Sequence, residues 1–502
     1  AMNQSAADRS GGEVAPPMPP QPPTIHDDNT FVDPGENPFV TVADQPASTF
    51  GLDVDTGSPS IGRTFLSSGS LPPAESVRVE EWVNSLGSDQ PSPTEADLGI
   101  RVDGSLAPFT NDGTYLVRVG VAAREVAAAE RPAAHLTFVV DTSGSMDIRE
   151  RLGLVKASLG ILVLNLRDDD TIAIVTYSDT AGLLLEPTPV SDAQRIVDAI
   201  DSLQPGNSTN LDAGLRTGYD QAEQAFVEGD INAVLLASDG VANVGLTDPD
   251  GLAGVIQDRA QQGIHLVTVG YGMGNYNDDL MEQVADRGDG FYAYLDTYEQ
   301  AERLFRDRVT SILTVVAADA KAQVTFEPTA VQSYRLLGYE NRALATEDFE
   351  DETVDAGEIG AGHRVTALYE VRLLDGNNGG AMAPGAVLAT AAVRWRSTSS
   401  GSTETVETPI TMADVSYAFA EAPASLRLHA ATAAFADWLT GSWFSADRGT
   451  SPAAIGEVVT GAAAELDPAG LPGAQLTPND LADMVRLAGT ASPSPQLPEY
   501  EE

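Results

Sequence analysis

Cysteine is missing from this sequence altogether, which excludes disulfides, thiolate metal sites and cysteine nucleophiles while leaving the compartment open. Lysine occurs only at Lys156 and Lys321. Lys+Arg number 28 against 74 Asp+Glu, a formal net charge of −46. The clustered cations that a phosphate backbone requires are therefore lacking, which argues against nucleic acid as a partner. No apolar run reaches the roughly 18 residues needed to span a bilayer. The opening AMNQSAADRSGGEVAPPMPPQPP has neither a basic n-region nor an apolar h-region, so it reads as a mature or trimmed N-terminus rather than a signal peptide. The five histidines (His26, His135, His265, His363, His429) are scattered, without HExxH or paired spacing. There is no GxxxxGK[ST] phosphate loop and no GxSxG elbow. Zinc hydrolysis, P-loop chemistry and serine hydrolysis all lose their sequence support.

What is present divides along the chain. Residues 1–36 are polar and Pro-rich, the composition of a disordered tether to a membrane or cell surface. Residues 37–90 turn structured, with STFGLDVD alternating like a strand and ESVRVEEWVNSL spaced like a helix. A single alternating strand, TYLVRVGVAARE, lies within 108–128. From 131 to 313 strands and helices alternate. HLTFVVD, TIAIVTYSD, NAVLLASDG and IHLVTVGYG are near-continuous apolar strands, and Leu152, Val155, Leu159, Leu162 and Leu166 recur at helical steps. This is the pattern of an α/β, doubly wound, mostly parallel sheet. Residues 314–415 alternate again and predict an antiparallel β-sandwich. The lone strand near 115 is expected to join that sandwich, so the α/β unit is inserted between its strands. Residues 416–491 read as helical, with Leu428, Ala431, Phe435, Trp438 and Leu439 on one face, and 492–502 form an acidic tail.

Two segments invite a question about chemistry. GLDVDTGSPS (Gly51–Ser60) and FVVDTSGSMD (Phe138–Asp147) both run from apolar residues into Asp-Thr and small hydroxyls. An acid protease dyad would place each aspartate on a loop of an all-β lobe, but Asp141 feeds an amphipathic helix in an α/β pattern. Asp53 reads as solvated and Asp55 as bonded to a turn. VTVGYGMGN ends in Asn275 where a dinucleotide fingerprint needs glycine, so it reads as a Gly-rich turn. The acidic run EDFEDETVDAGE lacks calcium-loop spacing and reads as a solvated loop.

In doubly wound sheets ligands sit beyond the carboxyl ends of the strands. Three such ends carry oxygen donors here: Asp141, Ser143 and Ser145 after HLTFVV; Thr209 in QPGNSTNLDAGL; and Asp239 after NAVLLAS. Two carboxylates and three hydroxyls make a hard, oxygen-only set, suited to Mg²⁺, Mn²⁺ or Ca²⁺ rather than zinc or copper. Few carboxylates leave such an ion under-neutralised and open to one from outside.

Asp-x-Ser-x-Ser at one strand end, Thr209 in a Gly-containing loop and the aspartate of S-D-G resemble the von Willebrand factor type A domain. The flanks, with STFGLDVDTGS before and LLGYENRAL after, are similar to a bacterial subfamily of these proteins. The resemblance implies a metal-ion-dependent adhesion site at Asp141, Ser143, Ser145, Thr209 and Asp239. The loop Gly206-Asn207-Ser208-Thr209 is one residue longer than the compact Gly-Gly-Thr form, which keeps Ser208 as an alternative to Thr209. The function implied is a non-enzymatic, extracytoplasmic bacterial binding protein. It would hold Mg²⁺, with Mn²⁺ or Ca²⁺ as acceptable substitutes, and capture a partner's Asp or Glu carboxylate. Two alternatives stand beside it: an envelope assembly component in which the ion only stabilises, and an intracellular adaptor for an ATPase. Acidic excess with almost no lysine fits a surface kept hydrated in a saline habitat, and equally a GC-rich genome that replaces Lys by Arg.

Overall fold

The structure is a computed structural model that describes residues 31, 33, 35–52, 55–110, 112–147, 149–239, 249–272, 278–354, 356–374, 382–468 and 470–493. Asp53, Asn275, most of the expected tether and nearly all of the acidic tail lie outside the described residues.

The apolar strands form one six-stranded sheet. Its order is Tyr292–Leu295, Ile264–Tyr271, Ile231–Ser238, Ala134–Asp141, Thr171–Tyr177 and Ala181–Pro189. All neighbours are parallel except the last pair, where Ala181–Pro189 returns antiparallel to form an edge. Alternate residues of the central strand feed two cores. Leu136, Phe138 and Val140 face the cluster that takes Leu152, Val155, Leu159 and Leu162 of helix Arg149–Asn165. Val139 faces the opposite cluster with Leu211, Leu215 and Tyr219 of helix Leu211–Ala225. Each fully buried aliphatic side chain contributes roughly 1.5–3 kcal/mol, so burial on both faces fixes the strand's register. Helix Leu211–Ala225 lies very close to the sheet. A Cβ on Gly218 would stand 2.3 Å from Val139 Cγ2, and one on Gly214 would stand 2.7 Å from the Tyr177 ring. These glycines let the helix start where Thr209 reaches the strand ends.

Two further sheets face each other over a shared core that includes Phe50, Val117, Phe326, Tyr369 and Trp395. One is ordered Val40–Thr41, Val331–Leu337, Arg364–Leu373, Tyr115–Ala123, Leu98–Leu106 and Val415–Ser416. The other is ordered Ala343–Leu344, Ala47–Gly51, Val315–Phe326, Val387–Ser397 and Thr403–Thr411. Tyr115–Ala123 is a central strand of this sandwich, and the parallel sheet intervenes in sequence between it and Val315–Phe326. Helices Ala424–Leu439, Trp443–Arg448, Pro452–Ala463 and Pro478–Ala488 follow. They pack on the N-terminal block, where Trp82 meets Phe435 edge-on at 5.4 Å.

Several elements differ from the sequence reading. Leu98–Leu106 and Ala181–Pro189 are strands that escaped it, because both are half-exposed and their hydrophobic alternation is weak. Ser58–Ser67 is a helix inside the block that had been read around its Asp-Thr-Gly-Ser. The last helix of the α/β unit is interrupted. It is α-helical over Tyr298–Glu302, π-helical over Arg303–Asp307, and α-helical again over Val309–Leu313.

Candidate metal centre

The site grows from two adjacent parallel strands. Val140 pairs with Ala237, which sets Asp141 beside Ser238 and brings Asp239 one residue beyond. Both carboxylates are fully buried. Asp141 is gripped by three donors: the Ser143 backbone N–H gives to Oδ1 at 2.8 Å, while the Ser238 hydroxyl and the Tyr177 phenol give to Oδ2 at 3.0 and 3.2 Å. Burial first, and the neighbouring Asp239 second, still raise the Asp141 carboxyl to about 6. The Ser143 and Ser145 hydroxyls stand 2.9 Å apart. Gly144 N–H donates to Asn207 O at 2.9 Å and Gly206 N–H to Thr142 O, so the first and second loops are tied backbone to backbone. A Cβ on Gly144 would stand 3.0 Å from Asn207 O, which is why this turn favours glycine.

The second loop separates its two hydroxyl residues. Ser208 is bound through its hydroxyl and its N–H to the exposed Asp179. Thr209 is buried, 2% exposed, immediately before Asn210, whose side chain caps helix Leu211–Ala225 by accepting from Ala213 N–H at 3.1 Å.

Three contributors were absent from the sequence reading. Tyr177 and Ser238 close the Asp141 carboxylate. Arg151, on helix Arg149–Asn165, reaches back so that its Nη1 lies 2.7 Å from Asp239 Oδ2 and 3.2 Å from Ser145 O. Ser238 could have been found, since it precedes Asp239 directly. Arg151 carried one signal, a cation in the first turn after the loop, but nothing in its spacing aimed it at a strand end two crossovers away.

The donor set fits a hard divalent ion. Two like charges are held together out of water, at a cost visible in the raised Asp141 pKa, and a cation between them relieves it. Among the described residues no group of three Asp, Glu, His or Cys side chains could hold a metal ion, so an ion here would draw its remaining protein ligands from hydroxyls. That matches a two-carboxylate, three-hydroxyl set and leaves positions for outside ligands.

Other flagged residues have structural roles. Asp55 ties two parts of the chain together. It accepts from Tyr292 N–H at 3.1 Å and pairs with Arg342 at 3.0 Å, joining the N-terminal block to the edge of the parallel sheet. The acidic run of residues 347–358 is largely exposed where it is described, as expected, and also meets two cations. Lys321 donates to the carbonyls of Asp348 and Asp351, and Arg394 pairs with Glu350 and Glu352. His135 bonds Thr171 and Asp230, and His265 bonds the Asp289 carbonyl.

Residues 135–307 match the von Willebrand factor type A domain family, and residues 311–471 match the family described as "Uncharacterized protein YfbK, C-terminal". Residues 25–118 match a family described as "von Willebrand factor". The chain is 43% identical over 345 residues to the uncharacterized protein YfbK of Escherichia coli, covering 67% of this chain and 60% of that protein. It is 27% identical over 214 residues to the uncharacterized protein sll0103 of Synechocystis, covering 43% of this chain and 50% of that one. It therefore spans less than two thirds of the length of either relative. Among solved structures, a von Willebrand factor type A protein from Catenulispora acidiphila aligns with a TM-score of 0.40 at 14% identity, covering 80% of this chain and 98% of that one.

Proposed function

Since the chain is a von Willebrand factor type A domain protein of the YfbK family, we propose that it is a non-enzymatic binding protein whose Asp141, Ser143, Ser145, Thr209 and Asp239 hold a divalent cation, Mg²⁺ in preference to Mn²⁺ or Ca²⁺. Domains of this type often bind such an ion and generally mediate protein–protein binding. The observation that carries the reading is the pair of fully buried carboxylates, Asp141 and Asp239, at adjacent strand ends beside two hydroxyls 2.9 Å apart. When bound, the ion supplies a Lewis-acidic position for an Asp or Glu carboxylate of a protein partner. The chain's own part is to hold the donors. Tyr177, Ser238 and Ser143 N–H fix the Asp141 carboxylate, and Arg151 fixes Asp239. The long-range charge of −46 does not forbid an acidic partner group, because salt screens it within about 10 Å while the site acts at contact distance.

The proposed location is extracytoplasmic, at a bacterial envelope. The large acidic excess supports this reading, as does the proline-rich composition of the first residues. No helix among the described residues is long and apolar enough to cross a membrane. A second reading, an envelope assembly component in which the ion only stabilises, draws on Arg151. Its ion pair already neutralises Asp239 without a metal.

Calorimetric titration of Mg²⁺, Mn²⁺ and Ca²⁺ into chelator-stripped protein tests the site. One saturable event is expected, lost in Asp141→Ala and kept in Ser208→Ala. No saturable event in the unaltered protein would sink the mechanism. Binding that survives Asp141→Ala would move the ion elsewhere.

A further inference from the structure

The opposite edge of the parallel sheet holds a cationic group with nothing to bind. Arg308 falls at the break between the π-helical stretch Arg303–Asp307 and the final turn Val309–Leu313. Its side chain is partly buried, and loss of solvation alone pulls it down from its ordinary value to about 10. Among the described residues it makes no hydrogen bond and no ion pair. In a chain with only 28 Lys and Arg against 74 Asp and Glu, an arginine that lines a cavity without a counter-charge stands out as a place for an anion.

Arg308 lines a cavity of about 670 Å³ between the α/β unit, the sandwich, the N-terminal block and the C-terminal helices. A smaller hollow of about 60 Å³ adjoins it under the amino ends of strands Ile231–Ser238 and Ile264–Tyr271. Thr56, Arg308, Ser311 and His363 line both spaces, and the Gln475 amide lines the smaller one. None of these five side chains has a hydrogen-bond partner among the described residues. Burial, with Arg308 and Arg364 nearby, pushes the His363 imidazole down to about 3, so it is neutral and keeps one N–H to donate. The other lining arginines are already engaged: Arg303 with Asp480, Arg306 with Glu302 and Asp307, and Arg364 with Glu125. The carboxylates that border these spaces, Glu125, Asp289, Asp307 and Glu358, make no bond to Arg308.

We propose that this cavity binds a phosphate-bearing small molecule, its phosphate seated on Arg308 with Thr56, Ser311, His363 and Gln475 as the surrounding donors. A guanidinium fork is shaped for an oxyanion, and five separate donor groups exceed what one carboxylate needs while suiting a tetrahedral phosphate. The volume beyond it is that of an ordinary small-molecule pocket, large enough for a nucleotide-sized body. The site lies at the far end of the sheet from Asp141 and is independent of any ion there.

The test is calorimetric titration of inorganic phosphate, adenosine 5′-monophosphate and citrate into the full chain, stripped of divalent ions so that metal–phosphate association cannot contribute. One saturable phosphate event is expected, weakened about tenfold or more in Arg308→Gln and unchanged in Arg486→Gln, whose side chain is exposed, paired with Asp483 and outside the lining of either space. Tighter binding of the nucleotide than of phosphate would place the organic body in the larger cavity. No saturable binding of either phosphate compound, equal affinity in Arg308→Gln, or a preference for citrate would each overturn the proposal. Should Arg308→Gln fail to fold, Ser311→Ala and Thr56→Val, which remove one donor each, are expected to weaken phosphate binding. Unchanged affinity in both would count against it.

Discussion

At the carboxyl edge of the parallel sheet Asp141 takes three hydrogen bonds and Asp239 an arginine, and the Asp141 carboxyl is nevertheless raised, by burial first and by the Asp239 charge second. At the amino edge Arg131 and Asp170 neutralise one another completely, with Asp170 also accepting from Ala134 N–H at 2.8 Å and Arg167 N–H at 2.7 Å. Arg308, close to that same edge, has nothing. On the two proposals above, the cases separate structural charge from functional charge. Arg131 and Asp170 each face an opposite charge, whereas the groups assigned to ligands are left in excess or alone.

The comparison breaks most easily at the paired group. Asp170→Ala strands Arg131, which is 3% exposed, and is expected to cost about 3–5 kcal/mol, read as a lower denaturation midpoint. A loss below about 1 kcal/mol would show that full pairing is no mark of structural charge.

Asp141→Asn sharpens the other side. A carboxyl whose folded pKa lies above its unfolded value binds its proton more tightly in the fold. Wild-type, metal-free protein is therefore unpenalised near pH 4 and loses stability as pH rises towards about 6, by roughly 3 kcal/mol in all. The amide has no such transition. The two proteins should match near pH 4, and the variant should be the more stable at pH 7 until Mg²⁺ is added. Parallel pH profiles would mean that the carboxylates are not in conflict.

Arg151→Gln is expected to have the smallest effect. Releasing Asp239 from its guanidinium makes the donor set more negative, and cation affinity should rise about tenfold, or ~1.4 kcal/mol, in the same titration. Unchanged affinity would show that Arg151 leaves Asp239 freely when a cation arrives.

Much of this was legible without coordinates. The apolar runs ending in Asp141 and before Asp239 announced a parallel sheet, because strands buried on both faces have little room for polar residues. The same runs marked the strand ends, and hence where oxygen donors would gather. Leu98–Leu106 and Ala181–Pro189 stayed hidden because half-exposed strands need no strong alternation. The break at Arg308 carried no proline or glycine to signal it.

By itself, then, the sequence determined the layered α/β architecture, the inserted order of its parts and the candidate oxygen donors Asp141, Ser143, Ser145 and Asp239, with Thr209 or Ser208 beside them. Those are written in local periodicity and in residue chemistry at strand ends. Only the tertiary structure decided that Ser208 turns to Asp179, that Arg151 reaches Asp239, and that Arg308 is left without a partner. Each of these depends on which distant segments pack together, and an electrostatic partner is chosen by distance in space rather than by spacing along the chain.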